Sequence, residues 1–270
     1  MDLGIVQTTV LALLQGITEF LPISSSAHLL LPSLLLGWPD QGLSFDVALH
    51  VGSLSAVIFF FRQDLLSLTV AWIQSITARR VSTESRLAWL LILATIPTGV
   101  AGFLLNDYVE NYARAIGVVA TTSIVFGFLL YWSDISGKKQ SDEYTLTWRG
   151  ALIIGFSQIL ALIPGTSRSG ITMTAGLFCG LTREASARFS FLLSIPIIIA
   201  SGLLKGTELA ASGLQSSEID MLLYSMVLSG LVAYACIHFF LQIIGKLGYL
   251  PFVIYRIILG LLLFGILFTG

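Results

Sequence analysis

A glutamate, three consecutive serines and a histidine crowd into one short stretch, QGITEFLPISSSAH at residues 15–28. Gln15 and Glu19 are four apart and so share one helical face. Pro22 disrupts that helix just before Ser24, Ser25, Ser26 and His28. A carboxylate, hydroxyls and an imidazole together are the parts of a base and a nucleophile. A second stretch, PGTSRSGIT at residues 164–172, carries Gly165, Thr166, Ser167, Arg168, Ser169 and Thr172, with a new helix expected to start near Ser169. Hydroxyls, a guanidinium and the free N–H groups of a helix start make an anion site, and phosphate suits it best. Some of these groups also have a plainer reading. Ser24, Ser26 and Thr172 could equally bond only neighbouring backbone. His50 and His238 stand alone on apolar stretches and are expected outside the site. Arg183 and Arg188 read as topology or headgroup anchors. Cys179 and Cys236 lack any Cys-x-x-Cys spacing and read as small buried hydrophobes.

The elements that must position these groups belong in lipid. Of 270 residues 56% are apolar and 11% charged, and the mean hydropathy is +0.90, far from a soluble composition. With a net charge of -1 and no block of like charge, nothing points to nucleic acid or to a basic surface anchor. The amino-terminal stretch has neither a basic flank nor an Ala-x-Ala-like site, and is expected to stay in the fold. Six stretches suit transmembrane helices: 45–61, 87–105, 115–132, 186–204, 221–244 and 252–268. The remaining apolar runs, 3–14, 29–36, 151–163 and 175–181, are too short to cross and flank the two polar stretches. They predict two broken helix pairs that enter the membrane and turn back, a form tolerated where protein or a wet cavity covers it. At the bilayer centre Glu19 and Arg168 would each cost about 2.5 to 3.5 kcal/mol, so pairing or function is expected of them. A purely structural Glu19–Arg168 bridge would leave the hydroxyls and the histidine unexplained.

The two breaks also resemble each other, GITEFL from Gly16 matching GFSQIL from Gly155. Loops 62–86, 133–150 and 245–251 hold Arg62, Arg79, Arg80, Arg86, Lys138, Lys139, Arg149 and Lys246. Loops 106–114 and 205–220 hold only Arg114 and Lys205, beside Asp107, Glu110, Glu208, Glu218 and Asp220. The first set is therefore expected in the cytoplasm. If each broken pair returns to its own side, the halves are oppositely oriented, which places the site where they meet. The fold expected is all-α and polytopic: six spans and two re-entrant pairs in one membrane domain, residues 1–270. Its repeats fall at about 1–132 and 151–270, joined by a cytoplasmic loop at about 133–150.

These motifs resemble the signatures of the bacterial undecaprenyl-diphosphate phosphatases of the bacitracin-resistance type. The likeness extends over nearly the whole chain and includes the terminal PFVIYRIILG. It implies an inner-membrane hydrolase that converts a C55 polyprenyl diphosphate to the monophosphate, recycling the lipid carrier for peptidoglycan and other envelope glycans. The site would face the periplasm. By this resemblance Glu19, Ser25 and His28 match catalytic candidates, and Ser167 and Arg168 match phosphate-contacting positions. Gln15, Ser24, Ser26, Gly165, Thr166, Ser169 and Thr172 would surround the substrate. The family's activity is associated with a divalent cation, Mg²⁺ or Ca²⁺. Many members, however, carry a second glutamate where this chain has Gln15. The ion would then lean largely on diphosphate oxygens, with Glu19 the one carboxylate on offer and its ligands unassigned. The partners expected are the lipid substrate and the bilayer, with a homodimer left open. Inverted repeats with broken helices also occur in transporters, so a polyprenyl-phosphate transporter or flippase is the alternative reading.

Overall fold

The structure, a computed structural model, describes residues 3–39, 41–112, 115–212 and 216–269. In chain order the helices are α1 (Ile5–Thr18), α2 (Ser25–Leu36), α3 (Gly42–Phe60), α4 (Arg62–Thr77), α5 (Thr83–Tyr112) and α6 (Ile116–Ser136). There follow α7 (Trp148–Ile159), a 3-10 turn (Leu160–Leu162), α8 (Arg168–Phe178), α9 (Arg183–Ser212), α10 (Ser216–Leu247) and α11 (Leu250–Thr269). Among the described residues the only β pairing is an isolated bridge between Ser141 and Leu181. Among the described residues five helices, α5, α6, α9, α10 and α11, are long and apolar enough to cross a membrane; α3 and α4 meet that measure only together, as a pair bent by 76°. The expected loop at 62–86 is thus corrected: most of it is helix. Its charges sit at its ends, while Leu65, Leu68 and Trp72 between them recur at helical spacing and pack into the core.

Helices α1, α2, α7 and α8 have 14, 12, 12 and 11 residues. At 1.5 Å per residue they reach about 16 to 21 Å, short of a core of about 30 Å. Each half's entering helix runs along a spanning helix of the other half. Beside α10, Thr9 meets the Tyr224 hydroxyl at 3.0 Å, and Cys236 donates to the Ile17 carbonyl at 3.3 Å. Beside α5, Arg86 donates to the Leu146 carbonyl at 3.1 Å, and Thr98 to that of Gly155 at 3.0 Å. Numbers rise together in both pairs, so both run parallel. The matched glycines allow a close approach in both pairs. A Cβ on Gly16 would lie 2.8 Å from the Ser229 carbonyl oxygen, and one on Gly155 2.9 Å from the Ala94 Cα.

Each broken pair returns to the end from which it entered. The α2 residues Leu30 and Leu31 pack against the same buried cluster, Ala27, Val119, Ala120, Leu259 and Leu263, as Ile116 at the start of α6 and Ile266 late in α11. Beyond α8, the Gly180 carbonyl accepts from Gln140 and Ser141 in the α6–α7 loop, at 3.0 and 3.1 Å. Reciprocal pairing with opposite entry is the packing that an inverted repeat requires.

The end that carries the basic loops is tied by ion pairs. Arg188 bonds both Asp64 and Glu143 at 2.6 Å. Arg183 grips Asp134 through two bonds of 2.6 and 2.9 Å, and the Tyr249 N–H reaches the same carboxylate at 3.2 Å. Arg183 and Arg188 are therefore clamps between elements, not headgroup anchors, because α4, α6 and the α6–α7 loop supply carboxylates within their reach. At the other end, Arg114 and the side chains of Asp107, Glu110, Lys205, Glu208 and Glu218 lie outside the described residues.

Candidate functional site

The first break begins where α1 ends. The Glu19 N–H still bonds the Gln15 carbonyl at 3.0 Å, so the two side chains stay one turn apart on one face. Gln15 Nε2 donates to Glu19 Oε2 at 3.1 Å. A tight turn follows, with Ile23 N–H on the Leu21 carbonyl at 2.8 Å, and the chain passes through Ser24 at φ 75°. That left-handed conformation is rare for a residue with a Cβ. Helix α2 starts at once, so Ser25, Ser26 and His28 lie on its first turn and not in loop. The Ser25 hydroxyl donates to Glu19 Oε2 at 2.7 Å.

The second break repeats this construction. Gly165 turns at φ 87° and presses against Thr122 and Val119 of α6, where a side chain has no room. Ser167 follows at φ 71°, and its hydroxyl caps α8 on the Gly170 N–H at 3.1 Å. Arg168, at the first helical position, reaches across to the first break and donates to Glu19 Oε1 at 2.7 Å. Ser169 ties the breaks together by donating to the Leu21 carbonyl at 2.8 Å. Serine hydroxyls pair at 3.1 Å in both, Ser24 with Ser26 and Ser167 with Ser169. Phe20 covers the cluster, edge-on to Phe191 and under the Arg168 guanidinium.

Of the residues that the sequence nominates, Gln15, Glu19, Ser25 and Arg168 meet directly. Glu19 is 8% exposed, and both of its oxygens are held. Two buried donors nearby have no partner among the described residues, Arg168 Nη1 and the Thr166 hydroxyl. A phosphate oxygen is an acceptor of the kind that each lacks. Thr172 instead bonds backbone oxygens and Ser190, at 2.7 Å from the latter, as the plainer reading has it. Ser26 is exposed. His28 does not reach Ser25 or Glu19: its ring nitrogens meet the Ser24 carbonyl at 2.7 Å and the Tyr255 hydroxyl at 2.5 Å.

Three residues escaped the sequence reading. His50 belongs to the site after all, with Nε2 3.9 Å from Glu19 Oε2. Nothing near it in sequence announces this, because α3 brings it there. Ser53, one turn on, lies 3.5 Å from Gln15 Nε2. Arg256 on α11 is fully buried and binds carbonyl oxygens of both breaks, Pro22 at 3.2 Å and Gly165 and Thr166 at 2.9 Å. It also bonds Ser123 and Thr122 of α6. Its signal was present in the sequence, since an arginine inside an apolar span is as costly as Glu19 or Arg168.

For a divalent cation the donors are sparse. Glu19 is already committed to Arg168 and Ser25, and Gln15 offers one buried, unpartnered amide oxygen. No group of three or more His, Cys, Asp or Glu gathers among the described residues. These residues do not fit a cation cage built by the protein alone.

Two apposed broken helix pairs, with a carboxylate, a serine and an arginine gathered where they meet, together with the apolar helices around them, define a polytopic α-helical membrane protein. The chain matches the family model described as "Bacitracin resistance protein BacA" over residues 8–262 and belongs to that family, the undecaprenyl-diphosphate phosphatases.

Proposed function

We propose that this chain hydrolyses a polyprenyl diphosphate, undecaprenyl diphosphate by its family, to the monophosphate and inorganic phosphate. The observation that carries this reading is the Glu19 carboxylate, with the Ser25 hydroxyl at 2.7 Å on one oxygen and Arg168 at 2.7 Å on the other. One carboxylate thereby aligns a nucleophile with a phosphate-binding guanidinium. On substrate binding, Arg168 turns its free Nη1 and the Thr166 hydroxyl to the terminal phosphate. Charge building on the equatorial oxygens is then met by fixed donors. Glu19 takes the Ser25 proton as Ser25 Oγ bonds to the terminal phosphorus. The bond from that phosphorus to the bridging oxygen breaks, and the lipid monophosphate leaves. The departing phosphate takes that proton from Glu19, and water, deprotonated by the freed carboxylate, next attacks the phosphoserine phosphorus; Ser25 Oγ leaves and regains the proton, and inorganic phosphate is released.

A divalent cation, Mg²⁺ or Ca²⁺, is proposed to arrive on the diphosphate, whose oxygens supply most of its ligands. By the positive-inside rule the basic end is cytoplasmic. The first broken pair then enters from the opposite, periplasmic end of a bacterial plasma-membrane protein, and the family resemblance, not the loop charge, is the ground for proposing that the site opens there. Such placement suits an enzyme that recycles the carrier lipid of envelope synthesis.

The test is phosphate release by the purified protein from a long-chain polyprenyl diphosphate in detergent, with cation and with chelator. Wild type is expected to release phosphate, and Arg168→Ala, Glu19→Gln and Ser25→Ala to lose at least about 10²-fold in rate while remaining folded. A phosphate trapped on Ser25 supports the serine route, whereas near-normal turnover by Ser25→Ala leaves direct attack by water. A folded wild type that releases nothing under any cation sinks the phosphatase reading and leaves transport of the lipid.

A further inference from the structure

We propose that Tyr255 and His28 form a positioning device: together they hold the Ser24 backbone, and so aim the Ser25 hydroxyl, while Glu19 alone serves as base. The proposal deepens the phosphatase reading and rests on it.

The two breaks provide the comparison. Ser24 and Ser167 precede α2 and α8 in nearly the same rare conformation, φ 75° and ψ 96° against φ 71° and ψ 112°. Such a conformation persists only where its surroundings hold it. Ser167 is held locally, because its hydroxyl accepts from the Gly170 N–H at 3.1 Å. Ser24 makes no such cap, although its hydroxyl pairs with Ser26 as that of Ser167 does with Ser169. Its carbonyl is held instead. The His28 N–H reaches that oxygen only at 3.3 Å, but the imidazole Nδ1 reaches it at 2.7 Å.

A carbonyl oxygen can only accept, so Nδ1 carries the hydrogen. In the neutral ring Nε2 must then accept, and it takes its bond from the Tyr255 hydroxyl. The two rings stack, with planes 13° apart and centroids at 5.5 Å. Both nitrogens are thus engaged away from Ser25, whose proton points to Glu19. The Ser24 carbonyl shares a peptide plane with the Ser25 nitrogen. Fixing that oxygen fixes the plane, and with it the direction of the Ser25 side chain.

Conservative variants separate this role from that of a base. Asparagine at position 28 places an amide N–H where Nδ1 stands, and glutamine places one where Nε2 stands. Neither takes up a proton. Relative to wild type, His28→Ala and His28→Gln are expected to lose about 10²-fold in kcat, and His28→Asn to recover to within about tenfold. Tyr255→Phe is expected to lower kcat and leave KM unchanged, because the tyrosine touches His28 and not the phosphate.

Equal loss in His28→Asn and His28→Gln, in protein that still binds substrate, overturns the device and returns His28 to the role of base. A readout without turnover is the ¹⁵N signal of the His28 ring, assigned by comparison with His28→Asn. The Nδ1–H tautomer is expected, and an Nε2–H ring overturns the proposal. Absence of phosphate release from wild type would count against the phosphatase reading alone, since the tautomer still decides the device.

Discussion

Glu19 is the residue on which the site turns, because its two oxygens bind groups from different halves of the chain, Ser25 and Arg168. Neither contact is a surface ion pair worth a fraction of a kcal/mol. Removing Arg168 would leave the buried Glu19 charge without its ion-pair partner, a penalty of about 3 to 5 kcal/mol. The same logic makes Thr166 informative. Its hydroxyl is buried with no partner among the described residues, so it costs folding about 1 kcal/mol or more unless a ligand meets it. Thr166→Val keeps the shape and discards that hydroxyl. It is expected to hold or slightly raise the thermal unfolding midpoint while raising KM for the diphosphate. A lowered midpoint with unchanged KM would show that the hydroxyl serves the fold. At this scale the sequence was legible wherever the cost was visible: Glu19 and Arg168 stand out because lipid does not tolerate them idle. His50 did not stand out, since its nearness to Glu19 depends on how α3 lies against α1.

Among the elements, the two breaks are not loops draped over a scaffold but short segments clamped from behind by α11. Arg256 holds carbonyl oxygens of Pro22, Gly165 and Thr166 in one guanidinium plane. Arg256→Met would leave several buried carbonyls unpaired, at roughly 1 to 3 kcal/mol each. It is therefore expected to lower stability in detergent by several kcal/mol and to abolish phosphate release. Arg256→Lys, able to satisfy only part of the set, should fall between. A methionine variant as stable and active as wild type would show that water replaces the guanidinium. The breaks themselves could be read from Pro22, Pro164-Gly165 and the shortness of the flanking runs. The left-handed serines that start α2 and α8 could not, because serine has no local preference for that conformation and only its neighbours hold it there.

For the whole molecule, the arginine clamps place the basic loops at one end and the α2–α3 turn at the other. In a chain with Cys179 and Cys236 replaced by alanine, a cysteine at exposed Ser82 or Gln140 should react with an impermeant thiol reagent only from the cytoplasmic side. One at exposed Pro39 should react only from the other. Labelling of Pro39→Cys and Gln140→Cys from the same side would break the inverted arrangement. The two polar motifs nominated a larger set of residues, of which four meet directly; composition, run length and the Lys/Arg count were enough to predict an all-α membrane chain with oppositely oriented halves. These are consequences of transfer free energy, which each residue carries with it. The bend that makes α4 a helix of its own, the pairing of Arg183 and Arg188, the burial of Arg256 and the turning of His28 toward Tyr255 needed the tertiary structure. Each depends on which partner lies within about 3 Å, and that distance is set by packing between segments 45 to 234 residues apart.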